Sequence, residues 1–496
     1  MRTVGADQKR TLASLLLRVD RKTSAPLHAQ IDQALRARIL AGAVRPGTRL
    51  PSSRTLAAEL GVARTTVLQA LEALQAEGYL VAAPRSGVRV APELPEEGFT
   101  PAPVGTGRSL PPRLSSAART LASLGTGAPR LGSAPRPFRP GLPALDLFPT
   151  SLWSRLVSRA QSRASARMLE GGDPAGHAGL RRAIADHVVA ARGVRCAPEQ
   201  VFVTGGTQQA FEEVLRLVVD PGEAVWLEDP GYLGAQRAVL GAGARPVAVP
   251  VDDDGLDVEA GIRRSRHARL VILAPSHQYP LGVTLSLGRR MALLRWAASA
   301  RAMVLEDDYD SEFRHRGRPL TALQGLDDSG RVLYVGTFSK TMFPGLRVGY
   351  VVVPPSMVDV FSAARASLFA PASALEQAAL AIFMDEGHFA RHLRRMRGVY
   401  RERAEALLDG LRTRCAGVLE PKPCDTGMQL CAMLPRGVAD VAVRDRAAKV
   451  GIEVAPLSDY RLGPGGRGGL VFGFGAIRPA AIRAGVESLQ RALEMA

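Results

Sequence analysis

A segment without apolar periodicity divides this chain into a short N-terminal part and a long C-terminal part. Residues 92–136 are rich in Pro, Gly, Ser and Ala, a composition that interrupts helices and strands. Such a composition is typical of a linker, and about 45 residues at up to about 3.1 Å each would span on the order of 100 Å. We therefore expect separately folded parts at 20–92 and 138–496, joined by a flexible linker at 93–137.

Composition argues against several classes of protein. No apolar run approaches the roughly 20 residues of a membrane span, and the N-terminus does not have the pattern of a secretory signal. The four cysteines show no C-x-x-C spacing, which argues against a disulfide framework and a zinc site. We expect a cytoplasmic protein with free thiols and no bound metal.

The positive charge of the chain is concentrated near its N-terminus. Residues 1–92 contain 14 lysines and arginines against 6 acidic residues, so +8 of the net charge of +17 lies in under a fifth of the chain. A basic surface of this kind favours a polyanionic partner such as nucleic acid.

The N-terminal part has the pattern of three helices followed by two strands. Apolar residues recur every four positions over 27–39, after a proline, which predicts an amphipathic helix. Two serines can cap a short second helix, and Gly61 supplies the turn before a third helix at about 63–77. Short alternating runs at 79–82 and 88–90 predict a wing of two strands.

The third helix and the wing carry the candidate DNA contacts. Arg64, Thr65 and Thr66 lie at the N-terminal end of the predicted helix, where a recognition helix meets base edges and phosphates. The turn of the wing contains Arg85, Ser86 and Gly87, and an arginine there can enter a minor groove or contact phosphate. The alternative is an ordinary helical domain with a solvated basic face.

This part of the chain resembles the GntR-type winged helix-turn-helix over about residues 20–92. The resemblance rests on the order and spacing of PGTRLPSSR at 46–54, GVARTTV at 61–67 and EGYL at 77–80. It implies that Arg54 and Arg64 contact the backbone or bases of double-stranded operator DNA.

Beyond the linker, short β-rich apolar runs alternate with helical stretches. The clearest runs are at 201–203, 224–227, 270–274, 303–305, 333–335 and 348–352. This alternation predicts an α/β fold around a mostly parallel sheet. Ligand sites in such folds lie in the loops that follow the strands.

Two of these loops suggest an anionic ligand. The segment TGGTQQA at 204–210 is a small-residue turn that opens a helix, where free amides and the helix dipole can hold a phosphate. The segment GTFSK at 336–340 places Lys340 where it can form an imine with an aldehyde, and Thr337, Ser339 and Arg347 can donate to a phosphate. A solvated surface lysine is the alternative for Lys340.

A third loop is strongly acidic. The segment EDDYD at 306–310 places four carboxylates at the end of a strand predicted to be buried, which is costly unless a positive group lies beside them. Two explanations are open from the residues alone. One is a divalent metal held by oxygen ligands, and the other is a protonated heterocyclic nitrogen paired with one aspartate.

The C-terminal part resembles the fold-type I, aspartate aminotransferase-like enzymes that depend on pyridoxal 5'-phosphate. The motifs that support this, in order, are LFP at 147–149, GDPAG at 172–176, TQQA at 207–210, EDPGY at 228–232, PSHQYP at 275–280, EDDYDSEF at 306–313 and GTFSK at 336–340. Together with the winged helix, the set is similar to the MocR-type regulators.

The resemblance implies roles for individual residues. Lys340 corresponds to the lysine that forms the Schiff base, Asp307 to the partner of the pyridine nitrogen and Tyr309 to the donor facing the ring hydroxyl. It also implies a set of cofactor neighbours: Gly206, Thr207, Thr337, Ser339 and Arg347 around the phosphate, Tyr232 stacked on the ring, and His277 and Tyr279 beside it. These assignments favour pyridoxal phosphate over a metal.

The same resemblance guides the functional prediction. We expect a homodimeric transcriptional regulator whose aminotransferase-like domain senses pyridoxal phosphate, or an amine or amino acid that reacts with it, without physiological catalysis. An active aminotransferase with an autoregulatory DNA-binding domain is one alternative, and a DNA-binding protein with a vestigial second domain is another. The strand segment at 468–475 lacks the arginine with which aminotransferases usually grip a carboxylate, and Arg461 and Arg467 are candidates to replace it.

Overall fold

The chain folds into two compact units, at residues 1–112 and 113–496. The computed structural model describes residues 17, 19–21, 23–83, 87–95, 113–123, 136–317, 320–369 and 372–494. Most of the predicted linker at 93–137 lies outside these ranges. The described part of the predicted linker contains a helix at Ser116–Ser123. The predicted domain boundaries, at 20–92 and 138–496, stay a prediction.

The described part of the N-terminal unit contains three helices and two strands, as its apolar pattern predicts. They are α1 (Leu27–Leu40), α2 (Ser53–Leu60), α3 (Arg64–Ala76), β1 (Leu80–Ala83) and β2 (Gly87–Val90). The Ser52 side chain caps α2 by accepting from the Thr55 amide at 3.2 Å. Gly61 ends that helix in the left-handed region, at φ +63°, where an L side chain would be strained. This turn sets the direction of the third helix.

The two strands form an antiparallel wing. Leu80 pairs with Val90 and Ala83 with Gly87. Arg49 forms a further antiparallel bridge to Arg89. The wing tip, with the predicted DNA contacts Arg85 and Ser86, lies outside the described residues.

The described part of the C-terminal unit is built on a large sheet of eight strands: β3 (Val201–Thr204), β4 (Ala224–Asp229), β5 (Arg245–Asp252), β6 (Gly255–Leu256), β7 (Leu270–Leu273), β8 (Met303–Asp308), β9 (Val332–Thr337) and β10 (Gly349–Val352). Their order in the sheet is β3-β10-β9-β8-β7-β4-β5-β6. Strands β4, β5, β7, β8 and β9 are parallel, whereas β10 and β6 run antiparallel to their neighbours. The α/β fold with a mostly parallel sheet is confirmed.

Helices cover this sheet, so its central strands are buried on both faces and read as continuous apolar runs. The helices are α4 (Ser116–Ser123), α5 (Thr150–Ser162), α6 (Ala166–Leu169), α7 (Ala178–Arg192), α8 (Thr207–Val218), α9 (Leu233–Gly241), α10 (Val258–Ser265), α11 (Leu287–Ala300), α12 (Phe338–Thr341), α13 (Val358–Leu368), α14 (Ala374–Asp385) and α15 (His388–Arg414). Helix α4 falls within the predicted linker and packs against α9.

A smaller antiparallel sheet follows the long helix α15. The remaining elements are β11 (Glu420–Pro421), β12 (Gln429–Met433), α16 (Asp440–Lys449), β13 (Ala455–Pro456), β14 (Gly469–Gly473) and α17 (Pro479–Glu494). The strand order in this sheet is β11-β12-β14-β13. Within the described ranges, no helix combines the length and the apolar character that crossing a membrane requires.

Candidate functional site

A cavity of about 280 Å³ lies where strands β4, β7, β8 and β9 end. Because these strands are parallel, their carboxyl ends meet at one edge of the sheet. The cavity is lined by all but one of the predicted cofactor residues, namely Gly206, Thr207, Tyr232, Tyr279, Asp307, Tyr309, Thr337, Ser339, Lys340 and Arg347. Segments far apart in sequence thus contribute to one site.

Lys340 sits on the short helix α12, directly after β9. The Thr337 side chain caps this helix by accepting from the Ser339 amide at 3.2 Å. Lys340 Nζ donates to the carbonyl oxygen of Gly141 at 2.7 Å. Burial lowers the pKa of the lysine, against the opposing attraction of Asp310 and Asp307. A lowered pKa favours the neutral amine, which is the form that attacks an aldehyde.

Asp307 is the carboxylate of strand β8 that faces the cavity. Its Oδ1 atom is buried and has no hydrogen-bond partner among the described residues. Burial, together with repulsion from Asp308 and Asp310, raises the pKa of Asp307 to about 8. A buried acceptor in this position lacks a cationic or hydrogen-bonding donor, which a protonated pyridine nitrogen would supply. The residues present therefore fit pyridoxal phosphate.

The neighbours of Asp307 on the same strand have other partners. Glu306 accepts from the amides of Leu323 and Gln324, both at 2.8 Å. Asp308 forms a buried ion pair with Arg192 at 2.7 Å and accepts from the Tyr334 hydroxyl at 2.6 Å. Side chains alternate between the faces of a strand, which explains why adjacent carboxylates have such different surroundings.

Tyr309 is held by polar groups on two sides. Its hydroxyl accepts from Gln429 Nε2 at 2.8 Å and lies 3.1 Å from His277 Nδ1. The same nitrogen of His277 is 2.8 Å from Asp310 Oδ1. His277 thus lies behind Tyr309 and does not line the cavity, whereas Tyr279 does and donates to the Tyr460 hydroxyl at 2.9 Å.

The opposite end of the cavity has the features of a phosphate site. Helix α8 begins at Thr207, and its preceding residue, Gly206, has φ +106°. The first amides of a helix have no intrahelical acceptor and point toward a bound anion. A Cβ atom on Gly349 would lie 2.9 Å from Gly206 Cα, so the close approach of the two segments requires glycine. Thr337, Ser339 and Arg347 line the same cavity.

A buried ion pair anchors the start of helix α8. Arg365 contacts both oxygens of Glu213 at 2.8 Å, and both side chains are buried. Gln209 donates to Glu213 at 2.7 Å and accepts from the Gly205 amide at 2.6 Å. Arg365 also donates to the carbonyl oxygen of Val203 at 2.6 Å. These contacts fix the loop between β3 and α8.

Several lining residues escape the sequence analysis. Gly141, Glu228, Gln429 and Tyr460 line the cavity without having been predicted as site residues. Glu228 belongs to the EDPGY motif at 228–232, so its position in a motif could have identified it as a site residue. The other three come from a loop before β3, from β12 and from a turn before β14, where no local pattern marks them.

The two arginines considered as carboxylate ligands lie elsewhere. Arg467 pairs with Glu420 at 2.7 Å and donates to the carbonyl oxygen of Leu434 at 2.6 Å. Arg461 donates to the carbonyl oxygen of Arg467 at 3.2 Å. Neither lines the cavity.

The candidate DNA surface of the N-terminal unit is open. Arg54, Arg64 and Thr65 are exposed, and Thr66 is half-buried. Arg64 Nε donates to Ser53 Oγ at 3.2 Å, which orients the guanidinium at the start of α3. Gly87 is exposed at the base of the wing.

A winged helix and a lysine-bearing α/β domain together define a DNA-binding regulator built on an aminotransferase fold. Comparison with known families agrees with both parts. Residues 27–90 match the gntR family of bacterial regulatory proteins. Residues 149–467 match aminotransferase class I and II.

Similar proteins share this whole arrangement. The chain is 43% identical to the probable rhizopine catabolism regulatory protein MocR of Rhizobium meliloti, covering 96% of both chains. It is 32% identical to the HTH-type pyridoxine biosynthesis transcriptional regulator PdxR of Corynebacterium glutamicum, over 94% of this chain and 95% of that one. The chain belongs to the MocR-type transcriptional regulators, which confirms the predicted family.

A solved enzyme structure shows the fold of the C-terminal unit. It is LysN, an α-aminoadipate aminotransferase from Thermus thermophilus, complexed with N-(5'-phosphopyridoxyl)-L-leucine. The match has a TM-score of 0.66 and 30% identity, and covers 77% of this chain and 95% of LysN.

Proposed function

We propose that this regulator binds pyridoxal phosphate in the C-terminal cavity and alters its DNA binding when an amine reacts there. The observation that supports this most directly is the buried, unpartnered Oδ1 of Asp307 in the cavity that Lys340 also lines, among the described residues. Such an atom is destabilising unless a ligand supplies a donor.

Each end of the cofactor has matching groups on this chain. Lys340 would hold the aldehyde end, Asp307 the ring nitrogen and Tyr309 the ring hydroxyl. The amides at the start of α8, with Thr337, Ser339 and Arg347, would hold the phosphate. When bound, the cofactor supplies a carbonyl that reacts with primary amines and a ring that withdraws electrons. The ligand named for the LysN structure contains the same phosphopyridoxyl group.

The N-terminal unit would bind operator DNA through α3 and the wing. Arg54, Arg64, Thr65 and Thr66 would meet the major groove and its phosphates, and Arg85, Ser86 and Gly87 would meet the adjacent backbone or minor groove. An effector can change DNA affinity only if it binds two arrangements of the protein with different affinity.

A homodimer is part of this proposal. Tyr232, an aromatic residue lining the cavity, is 42% exposed. Exposed apolar residues near a ligand cavity are suited to burial against a second subunit. Sedimentation of the cofactor-loaded protein at micromolar concentration should give a dimer, and a monomer with normal operator affinity would contradict it.

Reductive trapping tests cofactor binding. After incubation with pyridoxal phosphate and borohydride, mass spectrometry should place a pyridoxyl group on Lys340. Lys340→Ala should abolish the adduct, whereas Lys449→Ala, at an exposed lysine of α16, should leave it intact. An adduct at another lysine in Lys340→Ala would refute the assignment.

DNA binding provides the second readout. A duplex enriched by the wild-type protein from a random pool should bind with different affinity with and without pyridoxal phosphate and a primary amine. Lys340→Ala should bind the duplex but lose this response. An identical response in Lys340→Ala would show that the cavity does not control DNA binding.

A further inference from the structure

Of the charged residues that line the cavity, the proposed function assigns all but one to the cofactor. Within the described ranges they are Glu228, Asp307, Lys340 and Arg347. The proposed binding of pyridoxal phosphate assigns the two cations to its aldehyde and phosphate, and Asp307 to its ring nitrogen. Glu228 is then the charged side chain left to face an incoming amine.

Glu228 is suited to neutral polar groups. It is buried at the end of β4, where one carboxyl oxygen accepts from the Ala274 amide at 3.1 Å. Burial raises its pKa to about 8, so it holds a proton at neutral pH and can both donate and accept. An anionic group placed beside it would gain no ion pair.

The other polar residues of the wall are hydroxyls and amides. Tyr279 and Tyr460 are joined by a hydrogen bond of 2.9 Å between their hydroxyls, and both line the cavity. Gln429 lines it as well, beside Tyr309. Hydroxyls and amides that can donate and accept suit the hydroxyl groups of a ligand.

The two arginines that precede strand β14 are engaged away from the cavity. Arg467 is bound to Glu420 and to the carbonyl oxygen of Leu434, and Arg461 reaches back to residue 467. No residue of strand β14 (Gly469–Gly473) lines the cavity, and its Leu470 and Val471 are buried apolar residues. Among the described residues, the cations that line the cavity are Lys340 and Arg347, both of which the cofactor would occupy. A ligand carboxylate would then be desolvated without a further cation from these residues, which is strongly unfavourable.

We infer that the effector is a primary amine that carries hydroxyl groups and no carboxylate, such as an amino alcohol or an amino sugar. This inference rests on the proposed function, because the amine must react with cofactor held at Lys340. The amine nitrogen would bond to the aldehyde carbon of the cofactor while the bond from that carbon to Lys340 Nζ breaks, and the two amine protons would pass to the lysine, which leaves as a free amine. The hydroxyls of the ligand would contact Tyr279, Tyr460, Gln429 or Glu228.

Matched pairs of amines test the inference on the full-length, cofactor-loaded protein. L-alaninol is compared with L-alanine, and 4-aminobutan-1-ol with 4-aminobutanoate, by titrating the cofactor absorbance. Each pair differs in the replacement of a carboxylate by a hydroxymethyl group. We expect half-saturation at concentrations at least about tenfold lower for the alcohols. Equal or tighter binding of the acids would overturn the inference while leaving cofactor binding intact.

Variants at the wall provide a second measurement. Tyr460→Phe removes one hydroxyl, and a lost neutral hydrogen bond weakens binding by roughly fivefold. The Tyr460→Phe substitution should weaken the binding of the amino alcohols and leave the binding of the amino acids unchanged. Leu462 lines the cavity, so Leu462→Arg adds a cation there. This variant should reduce the difference in half-saturation concentration between each alcohol and its matched acid. Leu462→Gln adds no charge and should leave that difference unchanged. If Leu462→Arg does not load cofactor, the Tyr460→Phe comparison still decides the question.

The outcomes separate the two proposals. If no pyridoxyl group can be trapped at Lys340, the proposed function fails and this inference fails with it. If trapping succeeds and the acids are preferred, only the inference is overturned. A shift in operator affinity with the alcohols, at the concentrations that shift absorbance, would support both.

Discussion

Lys340 and Gly141 are 199 positions apart, yet the amino group of the lysine donates to the glycine carbonyl oxygen at 2.7 Å. The lysine amine is thereby held by a segment that precedes the first strand of the large sheet. Gly141 has φ +82°, and a Cβ atom there would lie 3.1 Å from Lys340 Nζ. A side chain at residue 141 would therefore require the lysine amine to shift by a few tenths of an ångström.

Gly141→Ala should impair cofactor loading. Alanine at positive φ costs roughly 1–2 kcal/mol of folding stability, and the new methyl group would also displace the lysine amine. We expect roughly tenfold weaker loading of pyridoxal phosphate, measured by absorbance. Gly222→Ala is the control, because Gly222 has φ +89° but no atom within 4 Å of a Cβ. Equal loading in both variants would contradict the proposed contact.

Asp307→Asn should weaken cofactor binding without unfolding the protein. The amide keeps the shape of the side chain but cannot provide the negative charge that a protonated ring nitrogen requires. A hydrogen bond to a charged group contributes about 1.5–3 kcal/mol, so we expect roughly 10- to 100-fold weaker binding. Asp359→Asn, at an exposed aspartate of α13, should bind as the wild type does. Unchanged affinity in Asp307→Asn would remove the residue from the site.

The same substitution should change how the stability of the cofactor-free protein depends on pH. Burial raises the pKa of Asp307 from 3.8 to about 8, so between these values the folded state holds a proton that the unfolded state has released. The free energy of unfolding therefore falls as pH rises through this window. Asp307→Asn removes this loss, and its melting temperature should rise relative to wild type from pH 5.5 to pH 8. If the melting temperatures of the wild type and of Asp307→Asn change in parallel with pH, the raised pKa of the Asp307 carboxyl would be contradicted.

Arg64→Ala should weaken sequence-specific DNA binding and leave cofactor loading unchanged. Loss of a bidentate base contact costs about 1–3 kcal/mol. The measurement is fluorescence anisotropy at fixed salt with the enriched duplex. Arg412→Ala removes the same charge from an exposed position on α15 and should have little effect. If both variants weaken binding equally, net charge and not a specific contact explains the loss.

Arg365→Met should destabilise the C-terminal unit. The variant leaves Glu213 as a buried, uncompensated charge, which typically costs about 3–5 kcal/mol. Intrinsic tryptophan fluorescence during denaturant unfolding reports on this unit, since the three tryptophans of the chain all lie beyond residue 150. Arg182→Met breaks an exposed 3.3 Å ion pair with Asp385 and should cost about 0–1 kcal/mol. A similar loss in the two variants would contradict the role of burial.

The sequence predicted the helices and strands whose apolar residues recur at a regular spacing or form continuous runs. The four-residue spacing over 27–39 became α1, and the continuous apolar runs became buried strands of the large sheet. The loops after β3, β8 and β9 were found because parallel strands place their carboxyl ends together. Helix α4 was missed because it lies in a segment dominated by linker composition.

The rest of the cavity depends on contacts that no local pattern encodes. Gln429 reaches Tyr309 from the smaller sheet, and Tyr460 reaches Tyr279 across 181 positions. His277 shares a motif with Tyr279 but is turned away from the cavity toward Asp310. Which side chains of a loop face a cavity is decided by packing, and that information is spread over the whole domain.

The alternation along β8 also constrains how this domain can evolve. Deleting one residue from the strand before Asp307 would exchange the faces of every later side chain, since the period of a strand is two. Asp308 would then take the position of Asp307 at the cavity, and Asp307 would take that of Glu306 beside the amides of Leu323 and Gln324. Arg192 would lose its buried carboxylate partner, and Tyr309 would leave its place beside Gln429. Lineages can therefore exchange the apolar residues of this strand among themselves, but insertions and deletions there should be eliminated.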